Sequence, residues 1–345
     1  MLTAALRALH RLLGAALARI IRRRMTVDGV PVTVEQRQQM ARVLHREVVA
    51  RREQSHQAAR EAIREFDRTL PVAPVRDYPV AAVEHAIERA IEPPPQRRSP
   101  EPAAPPRRSR ARVTVRAAPA ELDPQSRRRS RARVTGPTTE NRTDPVVVRE
   151  VAERVLATLA RHVQQAARDT VVDTAEAAGE EIGWARVLSG AESCAFCAML
   201  ASRGPVYKSD KSALTVVGRK TAGGSRPRGT RELGESYHDN CDCEAVLVRR
   251  GEDWEGRADF ERLERLWMAA DSTGSGEETR KVFNRAFRRI ERDPDLGEEI
   301  ERIWADATEG LTGGDALRAF RRAIKENPPA ALAAARRPRR ANTDE

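Results

Sequence analysis

The chain has 345 residues, a formal net charge of +11, 33% charged residues and only 4% aromatic residues. That balance speaks against one large enzyme-like core and suits long amphipathic helices rich in Arg, Ala and Glu. No run of 18 apolar residues occurs, so a membrane-spanning helix is not expected.

The first 27 residues contain no acid. Leu2, Leu6, Leu9, Leu13, Leu17 and Ile20 recur three and four apart, with Arg7, Arg11, Arg19 and Arg22 to Arg24 elsewhere around the wheel. This spacing predicts a basic amphipathic helix. Such a helix can lie on an anionic membrane or imitate a transit peptide. Docking against the next helix or a partner protein is the favoured use.

Thr33 and Gln36 form a capping-box pattern, which predicts a helix from there to about Phe66. Its middle, RREQSHQAAR, is strongly polar and predicts a helix that projects or packs only at its ends. Three prolines break the chain at 70–79, and a further helix is expected over Val80 to Ile91. These read as α-hairpin pieces rather than a closed domain.

Residues 93–145 hold 13 Arg against 5 Asp or Glu, which accounts for +8 of the net charge. The segment is Pro- and Ser-rich, and RRSRARVT at 107–114 recurs at 128–135. It reads as a linker or extended arm. Its guanidinium groups, Arg107 to Arg133, suit non-specific phosphate contact, as with DNA. No interleaved aromatics are present to stack bases. A merely solvated linker is the competing reading.

Asp144-Pro145 restarts the chain as an N-cap followed by a first-turn proline. Val148, Val151, Val155, Leu159, Val163 and Ala166 then predict an amphipathic helix to about Ala178. Gly179 and Gly183 are expected to end it, and His162 reads as a packing or surface residue.

All four cysteines follow: Cys194 and Cys197 as C-x-x-C, Cys241 and Cys243 as C-x-C, with His238 three residues before Cys241. Two short thiolate pairs closing on one cation suit a tetrahedral Zn²⁺, and Zn²⁺ can join segments too short to hold a core. Five candidates compete for four places. Four protein ligands make a structural site, whereas three plus water make a catalytic one. A redox pair would want a βαβ setting that is not visible, and disulfides would want an oxidising compartment. Four reduced buried cysteines are the plain alternative. The 40 residues between Cys197 and His238 read as an exposed hairpin or loop with a β-prone core at 214–217. Glu244 to Arg250 reads as a short strand.

GWARVLSG, CAFCAMLASRGPVY and YHDNCDC, in this order, resemble the signature of the MuF-like minor capsid proteins of tailed bacteriophages, particularly actinobacteriophages. The close likeness covers residues 183–248. It implies a structural protein of head morphogenesis, docked on the portal protein and other capsid subunits inside the virion after assembly in the host cytoplasm. It also implies no small-molecule substrate.

Beyond the knuckle, the stretch from Leu263 and that from Ile300 align at a period of 37. Trp267 matches Trp304, Gly276 matches Gly313, Phe283 matches Phe320 and Arg285 matches Arg322. Each unit reads as helix, Gly-rich turn, helix, and the pair as a small bundle.

The expected fold is mainly α with a small β element: elongated helical hairpins around a Cys/His-clipped α+β knuckle domain. Four regions are expected: a helical region over 1–92, a linker or arm over 93–144, a MuF-like knuckle domain over 145–250, and a helical repeat region with its tail over 251–345. No catalytic constellation is legible, since neither H-E-x-x-H nor a deaminase signature occurs and Ser189 and Ser193 lack a nucleophile's context. A capsid maturation protease or other head-associated enzyme is the first alternative. A zinc-dependent nucleic-acid-binding protein is the second.

Overall fold

A computed structural model describes residues 2–92, 136–188, 193–206, 243–272 and 277–333. The expected arm at Arg107 to Arg133, the 214–217 hairpin, His238 and Cys241 lie outside these residues. Among the described residues the fold is mainly α, with ten helices and one two-stranded sheet.

Four long helices come first: α1 (Leu2–Asp28), α2 (Val34–Phe66), α3 (Val80–Ile91) and α4 (Pro145–Ala177). The α2 start is set by the capping box. Thr33 Oγ1 accepts from Gln36 N at 3.2 Å, and Gln36 Oε1 accepts from Thr33 N at 3.2 Å. Asp144 caps α4 by accepting from Val146 N at 2.7 Å, with Pro145 in the first turn. The α1 stripe is spent inside the protein. Leu13, Leu17, Ile21 and Met25 are buried with Leu44 and Val48 of α2, Ile87 of α3 and Val155 and Leu159 of α4. No described helix is long and apolar enough to cross a membrane.

Two expectations fail here. The hairpins do not stand apart, because helices from before and after the arm share that single core. The polar middle of α2 does not project either. Arg52, Ser55 and His56 are buried because each side chain finds a specific acceptor or donor. Arg52 donates to the backbone carbonyls of His162 (2.7 Å) and Arg76 (3.1 Å) and lies over the Tyr78 ring at 4.7 Å. His56 reaches the Ala73 carbonyl at 3.1 Å. The extended strap at 67–79 therefore seals this face of α2, and burial is tolerated because Arg52, Ser55 and His56 Nε2 are each paired. His162 packs under the strap with its Nδ1 2.7 Å from the Tyr78 hydroxyl, in keeping with a packing role.

The sheet pairs β1 (Ile182–Val187) with β2 (Glu244–Arg249), antiparallel, with Trp184 opposite Leu247 and Val187 opposite Glu244. The chain leaves α4 at Ala177, and Gly179 has φ 99°. Gly183 does not terminate the helix as expected but lies inside β1, where the run Ile182–Val187 is buried throughout. Ile182, Trp184, Ala245 and Leu247 pack on Ala167, Val171 and Ala175 of α4 and on Ala59 and Ile63 of α2.

A short helix, α5 (Ala195–Ala201), follows β1 and was not foreseen. Gly204 beyond it has φ 72°, and a Cβ there would meet the Phe260 ring at 2.8 Å, so both backbone and space call for glycine. Helices α6 (Arg257–Asp271), α7 (Glu277–Ile290), α8 (Asp295–Thr308) and α9 (Gly313–Glu326), with the short α10 (Ala330–Ala333), complete the fold. The 37-residue repeat is structural. Trp267 packs on Phe283 at 5.5 Å between ring centroids, and Trp304 on Phe320 at 5.0 Å. These helices share one core with Ala195, Ala198 and Met199 of α5.

Asp67 ties the end of α2 to β2 by accepting from Arg249 at 2.8 Å. Its carboxyl is held down at about 2, first by the Thr69 hydroxyl and backbone N–H and then by Arg249, against an ordinary 3.8. A carboxyl whose folded value lies below its unfolded one stabilises the fold above the unfolded value and loses that contribution as pH falls through the folded one. Wild-type protein will therefore melt above Asp67→Asn at pH 5. The gap will close between about pH 4 and pH 2. A gap that stays constant across that range in thermal melts would show that the carboxylate contributes nothing through its charge.

Candidate metal centre

The C-x-x-C folds as the start of α5. Cys194 is the N-cap, and its Sγ accepts from Cys197 N at 3.2 Å, so both thiols are fixed to one helical turn. Cys243 arrives on the residue just before β2, and its Sγ lies 3.6 Å from Cys197 Sγ. Cys197 and Cys243 are buried, and the half-buried Cys194 packs beside them with Leu188. The antiparallel pairing of β1 with β2 makes this meeting possible, since it returns the chain to α5 after an excursion of 45 residues.

A disulfide holds its sulfurs at about 2.05 Å, far closer than this pair. Thiolates bound to Zn²⁺ at about 2.3 Å in a tetrahedron lie about 3.8 Å apart, close to what is seen. Of the five candidates, the structure thus brings Cys197 and Cys243 to ligand spacing and sets Cys194 alongside. His238 and Cys241 fall outside the described residues. Among the described residues no group of three His, Cys, Asp or Glu is already gathered for a metal. The donor set nonetheless suits Zn²⁺ in kind: two buried thiols and one half-buried thiol, from two segments.

The surroundings of the thiols were not read from the sequence. Arg186 on β1 is buried, and its Nη1 donates to Cys243 Sγ at 3.0 Å. Next to Cys243, Glu244 is also buried. It accepts from His10 Nδ1 at 2.8 Å, and its other oxygen faces Arg168 Nε at 3.8 Å. The carboxylate has only acceptors, so Nδ1 carries the His10 proton. His10 Nε2 pairs with Ser55 Oγ at 2.8 Å. Arg168 also donates to Gln164 Oε1 at 2.8 Å. This network joins α1, α2, α4 and the first residue of β2.

A serine, histidine and carboxylate in line have the chemistry of an acyl-transfer relay. Here Ser55 is fully buried on the inner face of a continuous helix, so no substrate carbonyl reaches its Oγ. The network is a polar clasp. Its one sequence signal was an acid, Glu244, directly ahead of the apolar run Ala245 to Val248.

Comparison with known proteins supports membership of a bacteriophage protein family. The chain belongs to the VG15 protein family, which matches residues 32–270 and so spans α2 to α6 with the whole knuckle. The Gene 15 proteins of Mycobacterium phages D29 and L5 are each 34% identical to it, over 165 and 131 residues. Those matches cover 41% and 32% of this chain and 60% and 45% of the relatives, so it spans less than two thirds of either. No solved structure matches the chain. Membership of a phage protein family agrees with the resemblance carried by the knuckle.

Proposed function

We propose that the chain is a minor capsid component that docks at the portal vertex inside the phage head and catalyses no reaction. The observation that carries this reading is the VG15 family match, with mycobacteriophage relatives, across the segment whose cysteine knuckle resembles that of MuF-like head proteins. On this reading the chain joins the portal protein and other capsid subunits during assembly in the host cytoplasm, and Arg107 to Arg133 meets packaged DNA through its phosphates. The helical body is in keeping with it, offering the long, charge-rich helices α2 and α4 as faces on which other subunits could dock. The test is co-production with the portal and major capsid proteins, followed by gradient purification and quantitative mass spectrometry of the particles. The chain will travel with the particles at a fixed low ratio. Recovery only in the unassembled fraction would overturn the proposal.

Within that role the knuckle is a structural zinc clip. Cys194, Cys197 and Cys243 hold the ion, and the remaining place falls to His238 or Cys241. The ion would supply cross-linking alone, tying α5 to the head of β2. Elemental mass spectrometry of the purified chain will give about one zinc per molecule. Cys197→Ser will lose it, together with thermal stability. A metal-free wild type with titratable thiols would dismiss the clip and leave the capsid reading standing.

A further inference from the structure

We propose that the outward face of α1 is a nucleic-acid contact, which holds the phosphate backbone of duplex DNA without reading its sequence. The starting point is where the charge of the helical body sits. α1 carries six arginines against one carboxylate, Asp28 at its last residue. The other nine described helices together carry 25 basic and 25 acidic side chains. The net charge of the described helices is therefore that of α1 alone.

Packing sorts the faces of this helix. Leu13, Leu17, Ile21 and Met25 are buried in the core, and Arg11, Arg19, Arg22, Arg23 and Arg24 stand exposed. At 3.6 residues per turn, Arg11, Arg19, Arg22 and Arg23 fall within about 120° of arc and along about 18 Å of axis. Glu153 of α4 pairs with Arg22 at 2.7 Å, and Glu255 lies 4.0 Å from Arg7. Among the described residues, no carboxylate stands within ion-pair distance of Arg11, Arg19, Arg23 or Arg24.

The chemistry of the face selects its occupant. An interfacial helix inserts its apolar side into lipid, and that side of α1 is already spent in the core. A protein interface draws most of its energy from buried anchors such as Trp and Tyr, and α1 has no aromatic residue. What stands outward is a field of one sign, built from guanidinium groups that pair with phosphate oxygens and release bound counterions. A duplex carries one negative charge per 1.7 Å of axis, so about ten lie along the length of the stripe. Because α1 is packed along α2 and α4, it lies on the duplex rather than entering the major groove. The contact is therefore with phosphates and not with base edges. It is separate from the arm at Arg107 to Arg133 and holds whether or not the chain docks at the portal.

The test is anisotropy titration of full-length protein against a fluorescein-labelled duplex. The slope of log affinity against log salt counts the phosphate contacts. Arg11→Gln/Arg19→Gln/Arg23→Gln will lower that slope by about 2.7, at about 0.9 per lost contact, and weaken binding about 100-fold or more near 0.1 M salt. Lysine at the same three positions will keep most of the slope, since it also neutralises a phosphate. Arg280→Gln/Arg288→Gln/Arg322→Gln removes the same charge from exposed positions on α7 and α9, and will leave the slope near wild type. Circular dichroism reads the fold. If the α1 triple variant does not fold, Arg19→Gln alone serves, with an expected loss of about 0.9. Equal losses in the two glutamine triple variants would reduce the effect to net charge and overturn the inference. Duplex binding untouched by the α1 substitutions would overturn it too. If those substitutions instead abolished binding to the portal protein, the face would belong to an acidic protein surface.

Discussion

Replacing Glu244 by alanine will destabilise the protein by about 3–5 kcal/mol, the usual cost of breaking a buried charge pair from one side. Glu244 and Arg168 side chains are 2% and 0% exposed, and the His10 side chain is 2% exposed. Truncation leaves Arg168 facing a cavity where a carboxylate stood, and takes from His10 Nδ1 its acceptor. Glu244→Gln will cost less, because an amide oxygen still accepts from His10 although the charge beside Arg168 is gone. His10→Ala and Ser55→Ala will cost about 1–3 kcal/mol each, the penalty of orphaned buried polar groups. Urea unfolding of the single and double variants will show coupling of about 0.5–3 kcal/mol between His10 and Glu244, since they share one hydrogen bond. Additive losses, or a Glu244→Ala cost below about 1 kcal/mol, would mean that the clasp does not hold α1 to the sheet. The effect will extend to the knuckle, because Glu244 follows Cys243 directly and its clasp fixes where that thiol stands.

The long helices were legible because their caps and their apolar period agree. Thr33 with Gln36, Asp144 with Pro145, and the valines from Val148 each point the same way, and the ends of α2, α3 and α4 fall within a residue or so of expectation. The meeting of Cys197 with Cys243 was legible too, since two short cysteine motifs in one chain suit segments that come together. What escaped was non-local. Gly183 looks like a helix stop until β2 arrives from about 60 residues away to pair with it. Arg52, Ser55 and His56 look like a solvated face until the strap at 67–79 and α1 cover them. Arg186 and Glu244 carry no signal of partnership, because their partners are at Cys243 and at His10 and Arg168, set by register and crossing angle rather than by spacing. Periodicity reports which side of an element is apolar; it does not report where two buried charges meet.

The 37-residue repeat leads to a prediction in which equal local losses have unequal reach. Phe283→Ala and Phe320→Ala will each cost about 3–5 kcal/mol, since both rings are fully buried and each packs on the tryptophan of its own unit. The first unit has a neighbour that the second lacks among the described packing partners. Phe283 on α7 stacks near Phe287 at 6.2 Å, and α7 packs on α5, the helix that carries Cys197. Phe320 on α9 is backed by α8 and α6. A cavity under Phe283 will thus relax the surface on which α5 rests directly, whereas one under Phe320 reaches α5 only indirectly, through α6. Amide hydrogen exchange under native conditions distinguishes the two. Phe283→Ala will speed exchange across Ala198 to Ala201, and Phe320→Ala will leave it near wild type at a comparable global stability loss. Equal acceleration in α5 by both variants would mean that the repeat and the knuckle open as one cooperative body. The knuckle's integrity would then depend on the whole C-terminal bundle rather than on α7.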